Sequence, residues 1–175
     1  MIPVLLITGP VGVGKTAVIG EITDLLKKTA ARFASIDLDQ LSYAYPPAPG
    51  DDRFRSGLML TNLASVWRND RAAGAERLVL AGVIESRDDL ARYQDAIPGA
   101  QITVVRLRAS EGVLQERLLR RETGDGLAWH SARARELGEL MDRAAVEDLL
   151  VETDGRTLNE IAREVLTRAA WLPVA

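Results

Sequence analysis

The sequence predicts an α/β fold built on a parallel sheet, and three observations carry that expectation. Short continuous apolar runs recur along the chain, stretches with helical spacing of apolar residues separate them, and the first run passes directly into a glycine-rich turn. With 175 residues, one compact domain over 1–175 is expected, and 47% hydrophobic against 27% charged residues is enough to build a core. The 22 Lys and Arg against 25 Asp and Glu leave a formal charge of -3, so no global positive field draws the chain to nucleic acid or acidic lipid. The absence of cysteine excludes disulfides, thiolate zinc sites and a cysteine nucleophile, and the lone His130 excludes a multi-histidine metal site. No 18-residue apolar stretch occurs, and the run at the start is too short for a signal sequence, so a cytoplasmic protein without a membrane partner is expected.

Pro3 to Thr8 reads as a strand buried on both faces. Beyond the glycine turn, Val18, Ile19, Ile22, Leu25 and Leu26 recur at helical spacing up to Lys27 and Lys28. Phe33 to Asp39 reads as a second strand with its carboxylates at the C-terminal end, where open α/β sheets place ligands. Residues 43–53, rich in proline, break all periodicity and predict a long mobile loop within an acceptor-side segment at about 40–56. A helix is expected over Gly57–Gly74, a strand over Leu78–Ile84, a short helix over Arg87–Gln94 and a strand over Ile102–Leu107. Ser110 is a plausible N-cap for the next helix, which runs into Arg117, Arg120 and Arg121. Gly124-Asp125-Gly126 predicts a flexible turn, residues 128–144 a helix, Leu149–Val151 a last strand, and Thr157 the cap of a terminal helix.

Gly9-Pro10-Val11-Gly12-Val13-Gly14-Lys15-Thr16 matches G-x-x-x-x-G-K-[ST] at every fixed position, between a strand and a helix as the mechanism requires. Glycines allow successive N–H groups to turn inward and approach phosphate oxygens, and the helix that opens near Gly14 adds its positive end. Backbone from Gly9 through Ala17, including Val11, Gly12 and Val13, is thus the expected ATP-binding segment. Lys15 would neutralise the β and γ oxygens and Thr16 would ligate Mg²⁺. Lys15 is one of only three lysines, beside 19 arginines.

With the Asp37-Leu38-Asp39 pair, the Arg-Leu-Leu-Arg-Arg run at 117–121 and the late Thr153-Asp154-Gly155-Arg156 loop, this segment resembles the small P-loop kinases. These include gluconate, shikimate, adenylylsulfate and chloramphenicol kinases, and uncharacterised ATP-binding proteins of the same P-loop NTPase superfamily. The resemblance implies a three-layer sandwich, a five-stranded parallel sheet in order 2-3-1-4-5, and a helical lid at about 117–135. By similarity to the shikimate-type pattern, Asp37 would hold Mg²⁺ through water and Asp39 would orient and deprotonate an acceptor hydroxyl, or the two roles are reversed. On a strand both carboxylates would share a face, so a local turn is needed to separate them, and a helix N-cap is the bland alternative. Arg117 and Arg121, at i and i+4, would clamp the transferring phosphoryl group, the alternative being a solvated face paired to Glu116 and Glu122. Asp154 and Gly155 would pass close to adenine.

The function these residues point to is transfer of the γ-phosphoryl group of ATP to a hydroxyl of a small molecule, by a monomer or homodimer with ATP and Mg²⁺. A nucleotide-binding regulatory or switch module with little turnover is the alternative. Neither N-K-x-D nor D-x-x-G occurs to support a GTPase, and Glu85 is a weak substitute for a Walker B aspartate. The acceptor side is expected from Tyr43–Arg55 and from the helix bearing Trp67, Arg68 and Asn69; His130 is expected to be a polar surface residue.

Overall fold

The N-terminal apolar run is buried on both faces because it lies in the middle of the sheet. In the computed structural model, which describes residues 1–45 and 54–172, β1 (Ile2–Thr8) pairs in parallel with β3 (Arg77–Ala81) on one side and β4 (Ala100–Arg108) on the other. β2 (Phe33–Asp37) pairs outside β3, and β5 (Leu149–Glu152) outside β4. The order β2-β3-β1-β4-β5 is the one the resemblance implies. Leu5 sits opposite Val79 and Thr103, which fixes the register at the centre.

Side chains alternate across a strand, so β1 feeds two cores. Leu5 and Ile7 join Val18, Ile22 and Leu26 of α1 (Lys15–Leu26) and Ile161 and Val165 of α7 (Leu158–Arg168). Val4 and Leu6 join the other face, with Leu38 of α2 (Leu38–Ser42), Leu63 and Trp67 of α3 (Ser56–Ala72) and Tyr93 of α4 (Asp89–Ala96). Helices therefore cover both faces, as an all-parallel sheet requires. Two further helices, α5 (Glu111–Arg121) and α6 (Gly124–Ala144), pack on each other, and each buries apolar side chains, Leu114 and Leu118 from α5 and Leu137 and Met141 from α6. Thr157 caps α7 in a full capping box with Glu160. Among the described residues, no helix is long and apolar enough to cross a membrane.

Several boundaries differ from the sequence reading. The second strand ends at Asp37, not Asp39, because the Asp37 carboxylate accepts from the Asp39 N–H and opens α2. The third strand stops at Ala81; a Cβ on Gly82 would lie 2.6 Å from Leu38 Cδ1, so the chain here passes tightly over α2. The break from α5 covers Glu122 and Thr123, both extended, and Gly124, whose φ of +66 keeps the expected glycine turn at that residue; Asp125 and Gly126 already belong to the first turn of α6, where Asp125 suits the positive end of the helix. The helix expected from Arg87 begins at Asp89, whose carboxylate accepts from the Ser86 N–H. Of the loop expected at 43–53, residues 46–53 with Arg53 lie outside the described residues; Tyr43 and Tyr45 are exposed.

Arg106 interrupts the apolar run of β4, and it is 2% exposed. Its guanidinium donates to the Gly138 carbonyl and to Asp142 Oδ1 of α6 at 3.3 and 2.5 Å, with Glu147 Oε1 at 3.7 Å. This ion cluster ties the C-terminal half of α6 to the sheet. Arg106→Ala would leave Glu147, 16% exposed, without its counter-charge while Asp142, 59% exposed, stays solvated, so stability should fall by about 1–3 kcal/mol in urea denaturation. Arg120→Ala, which breaks only the exposed pair with Glu116, should leave the midpoint unchanged.

Candidate active site

The turn between β1 and α1 is shaped by glycine where nothing else fits. Gly9 has φ +145, and a Cβ there would sit 2.6 Å from the Leu107 carbonyl oxygen; Gly12 has φ +83, and its Cβ would press on Leu118 at 3.1 Å. The loop therefore lies directly on β4 and α5. α1 starts at Lys15, after Gly14 in the left-handed region, and its first-turn amides have no intrahelical acceptor, leaving them for an anion. The Lys15 ammonium curls back to donate to the carbonyls of Gly9 and Pro10 at 3.0 and 3.3 Å. Burial lowers its pKa, Asp39 and Asp37 oppose that shift, and Arg121 adds to it.

Asp37 and Asp39 are separated by the turn that the sequence reading required. Thr16 Oγ1 donates to Asp37 Oδ2 at 2.7 Å, while Asp37 Oδ1 accepts from the Asp39 N–H at 3.1 Å. The Asp37 carboxylate is thus both the helix cap and the neighbour of Thr16. Asp39 stands one residue into α2 and faces the cavity. Desolvation raises its pKa, Lys15 and Arg121 pull it down, and Asp37 pushes it up. The Thr16 hydroxyl and an Asp37 oxygen form a pair of hard oxygen donors beside the phosphate loop. Such a pair fits Mg²⁺, which takes one or two protein oxygens and completes its shell with phosphate and water.

The arginines divide. Arg117 Nη1 donates to the Val13 carbonyl at 2.9 Å and to Thr153 Oγ1 at 3.3 Å, so it braces the phosphate loop against the end of β5. Arg121 lines the cavity and pairs with Glu122 at 2.6 Å; Arg120 pairs with Glu116 and points elsewhere. Both pairs named in the solvated-face alternative are present, Arg120 with Glu116 and Arg121 with Glu122, and of the two arginines only Arg121 also lines the cavity. Asp154 accepts from the Ser110 N–H at 3.0 Å and ties the loop after β5 to the N-cap residue of α5; hydrogen bonding from the Ser110 side chain, with a smaller share from its N–H, holds the Asp154 pKa down.

A cavity of about 690 Å³ runs from the phosphate loop to the N-terminal parts of α3, α4 and α6. Of the residues singled out from sequence, Val11, Gly12, Gly14, Lys15, Thr16, Ala17, Asp39, Arg117 and Arg121 line it. Gly9, Val13 and Asp37 stand behind this wall through the contacts just given, and neither Asp154 nor Gly155 lines it. The acceptor side corrects the reading of α3. Trp67 is 3% exposed in the core and Arg68 and Asn69 do not reach the cavity; Ser56, Met59 and Leu60, about two to three turns before Trp67, do. His130 also lines the cavity and bonds Glu122 through Nδ1, contrary to its expected surface role. Sequence reasoning gave no role to Asp89, Arg92 and Tyr93, and Arg133 pairs across 48 residues with Glu85, a contact no local spacing announces.

No family model and no curated protein matches the chain. Solved structures do. The tunicamycin resistance protein of Deinococcus radiodurans aligns with TM-score 0.65 at 19% identity, over 96% of this chain and 95% of that one. A gluconokinase from Sinorhizobium meliloti aligns with TM-score 0.63 at 25% identity, over 97% and 92%. The shikimate kinase of Acinetobacter baumannii, in complex with shikimate, aligns with TM-score 0.60 at 17% identity, over 100% and 96%. The fold is that of the P-loop small-molecule kinases.

Lys15→Ala removes the one ammonium from the nest, whose backbone stays held by Gly9 against Leu107 and by Arg117 on Val13. ATP affinity measured by calorimetry should fall by about 10–100-fold, the worth of a charge-assisted contact, with an unchanged melting profile. Unchanged affinity in the folded variant would show that nucleotide binds elsewhere.

Proposed function

We propose that the protein is an ATP- and Mg²⁺-dependent phosphotransferase acting on a hydroxyl group of a small molecule. The observation that carries this reading is the continuity of one cavity from Lys15 and Thr16, past the Asp39 carboxylate, into a space lined by α3, α4 and α6. A module that only binds nucleotide needs no second chamber.

In this reading the amides of residues 9–17 and Lys15 hold the phosphates, and Arg121 faces the group in transfer. Thr16 and Asp37 would hold Mg²⁺, which when bound would supply positive charge against the phosphates. Asp39 positions the acceptor hydroxyl and takes its proton as the oxygen bonds to the γ phosphorus. The bond to the β-phosphate oxygen breaks, and ADP leaves. Arg117 acts on the loop, through Val13, more directly than on the phosphoryl group. The segment from Arg117 through residue 135 serves as a lid over the site, hinged at Glu122 and Thr123.

Two outcomes check this assignment. Asp39→Asn should lower kcat by roughly 10²–10⁴ while ATP affinity stays close to that of the parent. Because the base must be ionised and its pKa is raised, the acid limb of kcat/KM should fall above the usual aspartate range and vanish in Asp39→Asn. Closure over nucleotide should also slow proteolysis at residues 122–123 in the presence of a non-hydrolysable ATP analogue; equal cleavage rates would mean a static helix pair.

A further inference from the structure

Tyr93 is a core residue whose hydroxyl the core does not use. It joins Leu38, Leu63, Trp67 and Ile84 in the cluster on one face of the sheet and is 4% exposed. Phenylalanine would fill such a place at lower cost, because a phenol hydroxyl taken out of water must find new hydrogen bonds or destabilise the fold. Tyr93 Oη makes no hydrogen bond with a described residue. The polar groups beside it on α4 are engaged elsewhere: Arg92 donates to Ser56 Oγ at 3.2 Å, and Asp89, about one turn earlier, accepts from the Ser86 N–H at 3.2 Å.

The hydroxyl opens to the cavity. Among the described residues, the side-chain polar atoms that are both sealed from solvent and without a partner are Arg106 Nε and Glu147 Oε2. Tyr93 Oη is neither, so it keeps accessible surface, and Tyr93 lines the cavity together with Asp39. The Asp39 carboxylate is near enough to be felt there. Burial raises the Tyr93 pKa, Asp89 adds to the rise, Arg92 opposes it and Asp39 adds to it again. The group therefore stays a neutral hydroxyl, able to donate one hydrogen bond and to accept others. A ligand oxygen in the cavity is the partner that such a group lacks.

We propose that Tyr93 is an acceptor-binding residue: its hydroxyl holds a second oxygen of the acceptor while Asp39 takes the hydroxyl that is phosphorylated, so the acceptor is a diol or polyol and not a simple alcohol. The inference rests on the phosphotransferase reading for the role of Asp39; the binding of a ligand oxygen at Tyr93 is a property of the cavity. Two points of attachment fix the rotation of a small acceptor, which a single contact with Asp39 leaves free, and so hold one hydroxyl in line with the phosphorus. A simple alcohol filling the same space would leave Tyr93 Oη buried with its bond unmade, and that unmade bond is what discriminates.

Tyr93→Phe removes the oxygen and keeps the ring. In urea denaturation of the ligand-free full chain its midpoint should equal or exceed that of the parent, because no hydrogen bond within the protein is lost. A lowered midpoint would give the hydroxyl a structural partner and overturn the inference. Binding is read with two probes that differ by one hydroxyl, trans-1,2-cyclohexanediol and cyclohexanol, in ligand-observed NMR titrations of the chain saturated with Mg²⁺ and ADP. The diol should bind the parent about 3–10-fold more tightly than cyclohexanol, the worth of one neutral hydrogen bond. Tyr93→Phe should erase that preference through loss of diol affinity, with ADP affinity as in the parent. Equal binding of the two probes by the parent, a preference that survives in Tyr93→Phe, or no binding of the diol overturns the inference. ADP formation from ATP, followed with the same probes, keeps the two claims apart. A Tyr93-dependent preference in binding, with no hydroxyl compound accelerating ADP formation, upholds the subsite and removes the phosphotransferase reading. Diol-dependent ADP formation with the same kcat/KM in Tyr93→Phe as in the parent sinks this inference and leaves that reading standing.

Discussion

The backbone of residues 9–16 is held from three sides, and the rest of the site is positioned by that restraint. Gly9 is pressed against the Leu107 carbonyl of β4, Lys15 binds the Gly9 and Pro10 carbonyls from within, and Arg117 of α5 holds the Val13 carbonyl from outside. A nest of amides works as an anion site only if its N–H groups already point inward, since ordering them at the moment of binding would offset much of the gain. The parallel sheet brings the C-terminal ends of β1, β2 and β3 to one edge. Thr16, Asp37 and Glu85 then meet around one cavity although they lie far apart in sequence.

The same restraint links α5 to chemistry. Leu118 packs on Gly12 and Arg117 reaches both Val13 and Thr153, so a shift of α5 is felt at the phosphate loop and at the end of β5 together. α6 is tied differently: its far half is anchored to β4 by buried Arg106, and its near half meets the cavity through His130 and Arg133. In the proposed reading, a lid hinged at Glu122 and Thr123 and fixed at its other end would tilt without leaving the domain.

Much of this was legible in the sequence. Apolar runs gave the five strands, and the glycine-lysine-threonine spacing located the phosphate loop, because both signals are local. What escaped was set by contacts distant in the chain. Trp67 looks like a ligand-facing aromatic until the sheet face it packs against is known, and Arg106 sits in an apolar run with partners 32 to 41 residues away. Gly126 read as part of a turn because glycine is a weak helix former, yet the packing of the buried Ala134, Leu137 and Met141 sustains a helix that includes it, while Gly124, at φ +66, does make the turn into that helix. Asp37 as a cap was foreseen as the bland alternative to a functional carboxylate; a residue whose one oxygen caps α2 while the other meets Thr16 can be both.

The most direct test follows the γ-phosphoryl group itself. Phosphorus NMR of the full chain with ATP and Mg²⁺, run with and without a mixture of uncharged and carboxylate-bearing hydroxyl compounds, reports where the phosphorus goes. The account predicts a new phosphomonoester resonance matched by ADP only when the hydroxyl compounds are present, and loss of that signal in Lys15→Ala. Release of the γ-phosphoryl group solely as inorganic phosphate, at the same rate with and without them, or ATP left intact in both samples, would contradict it.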